Sequence, residues 1–121
     1  KTVRSFPAIS LTYNSLGVFQ NLHSPRVIWL GAAPDARLSE LQSAIEEVCT
    51  KQGFPKEERS FHPHITLGRV KGTKDIVHLT DAIKTITFEA INFSCSDVLL
   101  MKSDLQPGGS ILFFKNLLSM I

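Results

Sequence analysis

The stretch that most constrains this chain is Phe61-His62-Pro63-His64-Ile65-Thr66-Leu67-Gly68-Arg69-Val70, which holds two of the four histidines. Ile65, Leu67 and Val70 are apolar and mostly alternate with His64 and Thr66, the pattern of a half-buried strand. Residues two apart on a strand face the same way. His64 and Thr66 are therefore expected side by side, with Ile65 and Leu67 directed to the core behind them. Pro63 suits the first position of such a strand, where a missing N–H matters least.

That pairing has a chemical use. An imidazole takes or gives a proton near neutral pH, and a hydroxyl two residues on hydrogen-bonds a phosphoryl oxygen. Arg69 adds a cation that grips phosphate in a bidentate way. Strict alternation sets Arg69 on the opposite face from His64 and Thr66. Gly68 offers a way out, because glycine in a strand often marks a bulge that re-aims the next side chain. The alternative is that the strand simply ends there.

His64-Ile65-Thr66-Leu67-Gly68-Arg69, preceded by Phe61-His62-Pro63, resembles the second signature of the two-histidine phosphoesterases. Within that superfamily it is most similar to the RNA 2′,3′-cyclic phosphodiesterases, also called 2′-5′ RNA ligases. Leu16-Gly17-Val18-Phe19, Pro25-Arg26-Val27-Ile28-Trp29-Leu30-Gly31, a helix, and Gly53-Phe54-Pro55 with Glu57, Glu58 and Arg59 follow in the family's order. The resemblance runs from about Ser5 to Ser110. It implies an α+β fold, an antiparallel sheet backed by helices. It also implies two similar lobes, each giving one His-x-Thr motif to a central cleft. The first motif belongs well upstream of Leu16, and the sequence from Lys1 has no room for it. The expectation is that residues 1–121 form a single domain, the C-terminal portion of such an enzyme without its N-terminal lobe.

Composition sets limits but names no function. A length of 121 residues fits one domain, and 43% hydrophobic residues suffice for a core. A small apolar surplus is what a face awaiting a partner or a missing lobe would leave. Thirteen Lys and Arg against eleven Asp and Glu leave a net charge of +2. That permits an anionic ligand but is weaker than the usual nucleic-acid footprint. Cys49 and Cys95 are far apart without metal-like spacing and read as buried free thiols in a reducing compartment, hence a cytoplasmic protein. No run reaches the roughly 18 apolar residues of a membrane span, and no signal peptide is visible.

Along the chain, Thr2 to Thr12 reads as an edge or bent strand interrupted at Pro7. Asn14-Ser15 and Gly17 read as a turn, followed by the short apolar Val18 and Phe19. Val27-Ile28-Trp29-Leu30 reads as a central strand covered on both faces, with Trp29 in the core. Asp35 to Gln52 is the clearest helix. Leu38, Leu41, Ala44, Ile45, Val48 and Cys49 form one apolar stripe, with Asp35 as cap, Gly53 at C′, and Glu40, Glu46, Glu47 and Lys51 on the solvated side. Phe54 to Ser60 is a polar connector and Lys71 to Lys74 a basic turn. Asp75 to Thr85 is a short helix with Ile76, Leu79 and Ile83 inward. Thr87 to Met101 carries two strand segments or one bent strand around Ser94 to Asp97. Lys102 to Ser110 is a loop broken by Pro107-Gly108-Gly109, and Ile111 to Phe114 is a last strand. The tail from Lys115 to Ile121 departs from the family and its fold is left open.

Other candidates are weaker. His62 shares parity with His64, but two nitrogens are too few for a metal site, and the resemblance implies metal-independent chemistry with no cofactor. His78-Leu79-Thr80 is a second literal His-x-Thr. It falls in a helix, where residues two apart do not face each other, and lies too close to the first motif. His23 is a loop residue. Phe61 either stacks a nucleobase or packs under the strand. Arg59, Lys71 and Lys74 read as solvated surface charges, with a weak positive field as the alternative. The resemblance makes His64 one of two proton-transfer groups, with Thr66 and Arg69 stabilising charge on a phosphoryl oxygen. The substrate is RNA, or a nucleotide, ending in a 2′,3′-cyclic phosphate. There is no membrane partner, and a homo-oligomer is left open but not indicated. A lobe with one histidine is expected to be badly crippled, since each such group contributes about 10²–10⁴-fold. The rival readings are a non-catalytic nucleotide- or phosphate-binding module and an inactive truncated half.

Overall fold

Ile9, Leu11 and Tyr13 are buried and alternate with the more exposed Ser10, Thr12 and Asn14, and this period of two opens the first strand, β1 (Ile9–Phe19). The computed structural model describes residues 6–119 except Thr73, with side chains described up to Leu112. After β1 come β2 (Val27–Ala32), α1 (Ala36–Lys51), β3 (His64–Arg69), α2 (Ile76–Thr85), β4 (Ile91–Cys95), β5 (Asp97–Gln106) and β6 (Gly109–Ser119). The architecture is α+β, as the residue pattern and the resemblance imply.

The chain divides into two compact units. One comprises Leu11–Pro34 and Ser60–Phe93. It holds most of a four-stranded sheet in the order β3-β2-β1-β4, with β1–β2 and β2–β3 antiparallel. β2 is thus an inner strand, as its continuous apolar run suggests. On the outer β4, Phe93 stacks against Tyr13 with ring centroids 5.3 Å apart. In α2, Ile76, Leu79 and Ile83 are half-buried and Thr80 is buried.

The other unit takes in Asp35–Arg59 and the chain from Ser94 onward, together with the N-terminal segment up to Ser10. Its helix α1 starts where the sequence indicates. The Asp35 carboxylate accepts from the backbone N–H groups of Arg37 and Leu38, at 2.9 and 3.1 Å. Gly53 sits at φ +95°, the left-handed conformation that glycine reaches without steric cost after a helix. Leu41 is buried and Leu38, Ala44 and Ile45 are half-buried. Val48 and Cys49 are exposed, so the stripe is narrower than its spacing indicates. β5 and β6 pair as a long antiparallel ribbon turned by Pro107 and Gly108, with Gly109 at φ +129°. Leu99, Leu100, Met101, Leu105, Ile111 and Leu112 on this ribbon are exposed.

Several expectations need correction. The expected turn at Asn14–Gly17 lies inside β1, because pairing with β2 outweighs the local turn preference of these residues. The expected loop from Lys102 to Ser110 shrinks to Pro107-Gly108, since continuous pairing with β6 carries β5 to Gln106. β6 also runs past Phe114, taking the tail into the ribbon as far as Ser119. Both cysteines are free, but Cys49 is exposed and Cys95 only half-buried. The expected strand from Thr2 begins at Ile9, and residues 1–5, like Thr73 and residues 120–121, lie outside the described residues.

Candidate functional site

Two one-residue irregularities in the four-stranded sheet build the site. In β3, Gly31, Trp29, Ile28 and Val27 of β2 pair with His64, Thr66, Gly68 and Arg69, and the register shifts between Ile28 and Trp29. Leu67 is the extra residue, a β-bulge. Paired residues of adjacent strands share a face. Val27, Trp29 and Gly31 are two apart on β2, so His64, Thr66 and Arg69 all stand on one face of the sheet. Without the bulge, Arg69 would point the opposite way.

The second irregularity is in β1, where Tyr13 pairs with Ala32 and Ser15 with Gly31, leaving Asn14 extra. It moves the odd-numbered residues after Tyr13 to the other face. Ser15, Gly17 and Phe19, paired with Gly31, Trp29 and Val27, therefore join the face that carries His64. Leu16, Leu30 and Ile65 line up on the reverse side. Ile65 and Leu67 were expected in the core, yet they are 43% and 58% exposed. β3 is an edge strand and Leu67 is the bulged residue, so neither is flanked on both sides.

Trp29 corrects another expectation. It is half-buried on the His64 face instead of in the core. Its indole lies flat on the sheet, in the space that side chains at positions 17 and 31 would fill. A Cβ on Gly17 would fall 2.5 Å from Cη2 and 2.9 Å from Cε2, and a Cβ on Gly31 would fall 2.7 Å from Cζ3. The indole Nε1 is buried and has no hydrogen-bond partner among the described residues. Phe19 packs on Trp29 with centroids 5.3 Å apart and planes at 38°. It stands edge-to-face with His64, at 5.0 Å and 89°.

The His64 Nδ1 lies 2.5 Å from the backbone carbonyl of His62. A carbonyl only accepts, so Nδ1 carries the hydrogen and Nε2 of the neutral ring keeps its lone pair. Beneath His64 is a cavity of about 160 Å³ lined by Ser15, Trp29, Gly31, His62, Pro63 and His64. His62 borders the cavity, with its ring 6.3 Å from Phe19. Among the described residues no three His, Cys, Asp or Glu side chains converge as a metal group would need.

Thr66 and Arg69 are exposed, as is Phe61 at 42%. Arg69 has no carboxylate partner among the described residues, whereas Arg59 pairs with both oxygens of Glu57 at 3.1 Å. The Arg59 guanidinium holds the Glu57 carboxyl down to about 2, helped by the Arg59 backbone N–H. Arg59 is therefore neutralised. The second His-x-Thr forms no cluster among the described residues: the Thr80 hydroxyl donates to the carbonyls of Ile76 and Val77, both at 3.1 Å, inside α2, and His78 is exposed. His23 is exposed in a loop folded by the Asn21 side chain, which accepts from the N–H groups of His23 and Ser24. A larger groove of about 420 Å³ runs along α1, but it holds no histidine, and the Lys51 that lines it is already paired with Glu47 at 2.9 Å.

Sequence reasoning missed Trp29, Phe19, Ser15 and Gly17 as parts of this face. The glycines at 17 and 31, flanking an apolar run with a tryptophan, were the available signal.

Residues 1–107 match the 2′-5′ RNA ligase superfamily. A Methanothermobacter thermautotrophicus protein named RNA 2′,3′-cyclic phosphodiesterase is 34% identical over 91% of this chain and 60% of its own length. A protein of the same name from Thermotoga maritima is 37% identical over 92% of this chain and 58% of its own. The chain thus spans about 60% of the length of these relatives. A crystal structure of a Thermus thermophilus protein has the same fold, with a TM-score of 0.62 and 21% identity over 93% of this chain and 59% of that one. With a match that takes in β1 to β5 and the whole His64 face, the chain belongs to the 2′-5′ RNA ligase superfamily.

Proposed function

We propose that the His64 face handles a phosphodiester in a phosphoesterase of the RNA 2′,3′-cyclic phosphodiesterase type. The observation that carries this reading is the Leu67 bulge. It gives one surface an imidazole, a hydroxyl and a guanidinium that has no carboxylate partner among the described residues. The relatives' name adds support.

In this reading His64 transfers a proton through Nε2, the nitrogen left free by the bond to the His62 carbonyl. As a base it takes the proton of an attacking water while the new P–O bond forms. As an acid it gives a proton to the ribose oxygen as the old P–O bond breaks. The Thr66 hydroxyl donates to a phosphoryl oxygen, and Arg69 stabilises the charge that builds on the phosphoryl group. Phe61, exposed just before the strand, stacks the adjoining base. The reaction needs a second proton-transfer group, which the resemblance assigns to another His-x-Thr. The substrate is an RNA or nucleotide end carrying a 2′,3′-cyclic phosphate, met in the cytoplasm.

A second reading, a phosphate-binding half-site without turnover, is favoured by one observation. Among the described residues the other His-x-Thr is spent inside α2, with the Thr80 hydroxyl bonded to backbone.

The test is hydrolysis of an oligonucleotide ending in a 2′,3′-cyclic phosphate, with chelator present, by this chain and by His64→Ala. Turnover that survives the chelator and disappears in the variant supports the phosphodiesterase. Binding without turnover, weakened in the variant, supports the half-site. Turnover unchanged in His64→Ala refutes both.

A further inference from the structure

We infer that Phe19 is a positioning residue for His64. This rests on the reading that His64 transfers a proton, and it adds the side chain that fixes the direction of that transfer. The bond from Nδ1 to the His62 carbonyl ties the imidazole at one atom. A ring held at one atom still pivots about that point. The Phe19 ring, edge-to-face at 5.0 Å and 89°, closes off the pivot. The same ring lies 6.3 Å from the imidazole of His62, the residue whose carbonyl holds Nδ1. One phenyl group thus touches both the proton-transfer ring and the residue that anchors it.

Phe19 is itself seated. It rests on Trp29 at 5.3 Å, and Trp29 lies flat because Gly17 and Gly31 offer no Cβ to lift it. Phe19 reaches this face only through the extra residue Asn14, which reverses the direction of the odd positions of β1. The order of dependence runs from Asn14 and the two glycines through Trp29 and Phe19 to His64. A site that must hold a proton-transfer nitrogen in line with a phosphoryl group needs such support, because loose geometry costs rate even when every reacting group is present.

The test compares the full chain with Phe19→Leu, which stays apolar but removes the flat ring, and with Phe19→Tyr, which restores it. The first readout is the ¹⁵N NMR shift pattern of the His64 imidazole in the free protein, and it needs no turnover. The wild type is expected in the Nδ1–H tautomer, Phe19→Leu in a mixture of tautomers, and Phe19→Tyr back in the single form. The second readout is hydrolysis of the cyclic-phosphate oligonucleotide. Phe19→Leu is expected to lower kcat roughly tenfold with KM nearly unchanged. An unaltered tautomer in Phe19→Leu overturns the proposal. So does a raised KM with kcat intact, which would make Phe19 a substrate contact. If the wild type shows no turnover, the phosphodiesterase reading fails on its own, while the tautomer ratio still decides the role of Phe19.

Discussion

Replacing Gly17 with alanine tests the packing on which the site stands. Gly17 lies in a strand without a positive φ, so its backbone accepts alanine. The obstacle is space, since the new methyl would fall 2.5 Å from Cη2 and 2.9 Å from Cε2 of Trp29. The indole must lift or the strands must part. Overpacking of this kind costs about 1–3 kcal/mol, and loss of the glycine's backbone freedom returns about 0.5–1 kcal/mol. The net expectation is a destabilisation centred on about 1 kcal/mol and reaching about 2.5 kcal/mol, the central value being a fall of about 4 °C in Tm for a chain of this size. Gly68→Ala is the control, because no atom lies within 4 Å of a Cβ built there. It should be neutral or slightly stabilising. Thermal and urea unfolding followed by circular dichroism measures both, and repeating Gly17→Ala in a Trp29→Phe background completes a double-mutant cycle. There the cost of Gly17→Ala should largely vanish. If Gly17→Ala behaves like Gly68→Ala, or costs as much without the indole as with it, the flat tryptophan is not what keeps position 17 a glycine.

The Glu57–Arg59 pair sets an acid dependence of stability. The folded Glu57 carboxyl is held at about 2 against an ordinary 4.5, so its contribution is present above about pH 4.5 and is lost as pH falls toward 2. Acid unfolding of Glu57→Gln should lack that dependence, and an unchanged profile counts against the pair; added salt should weaken the effect in the wild type, because both groups are exposed. His78→Ala should leave cyclic-phosphate hydrolysis and phosphate binding within twofold of wild type, and a large loss in either would mean that the α2 motif takes part after all.

Much of this fold was legible because its causes are local. Asp35, Gly53 and the spacing between them announce α1 within a single stretch of chain. The alternation from His64 to Thr66 announces β3 in the same way. The bulges were not legible to the same degree. Gly68 hinted at an irregularity, but that Leu67 is the extra residue depends on which atoms of β2 it faces. Asn14 looks like a turn, and only the partner strand shows that it shifts register. Trp29 was misread because an unbroken run of Val27, Ile28, Trp29 and Leu30 carries no alternation to say which residue faces which side. Phe19 was read only as part of a short apolar segment, for a different reason. Its direction depends on Asn14, five residues away, and its partner His64 is on another strand. Residues that share a face through non-local pairing are invisible to a pattern read along the chain.

The central claim is that Arg69, turned by the bulge, grips the same phosphate as His64 and Thr66. The most direct measurement is the affinity for a 2′,3′-cyclic nucleotide, by calorimetry, of wild type, Thr66→Val, Arg69→Ala and Lys71→Ala. A hydrogen bond to a charged group contributes about 1.5–3 kcal/mol, so Arg69→Ala should weaken binding by roughly tenfold to a hundredfold. Thr66→Val should weaken it less, and Lys71→Ala should stay within twofold. An Arg69→Ala variant that binds like Lys71→Ala would contradict the account, because Arg69 would then lie on that face without contributing to it.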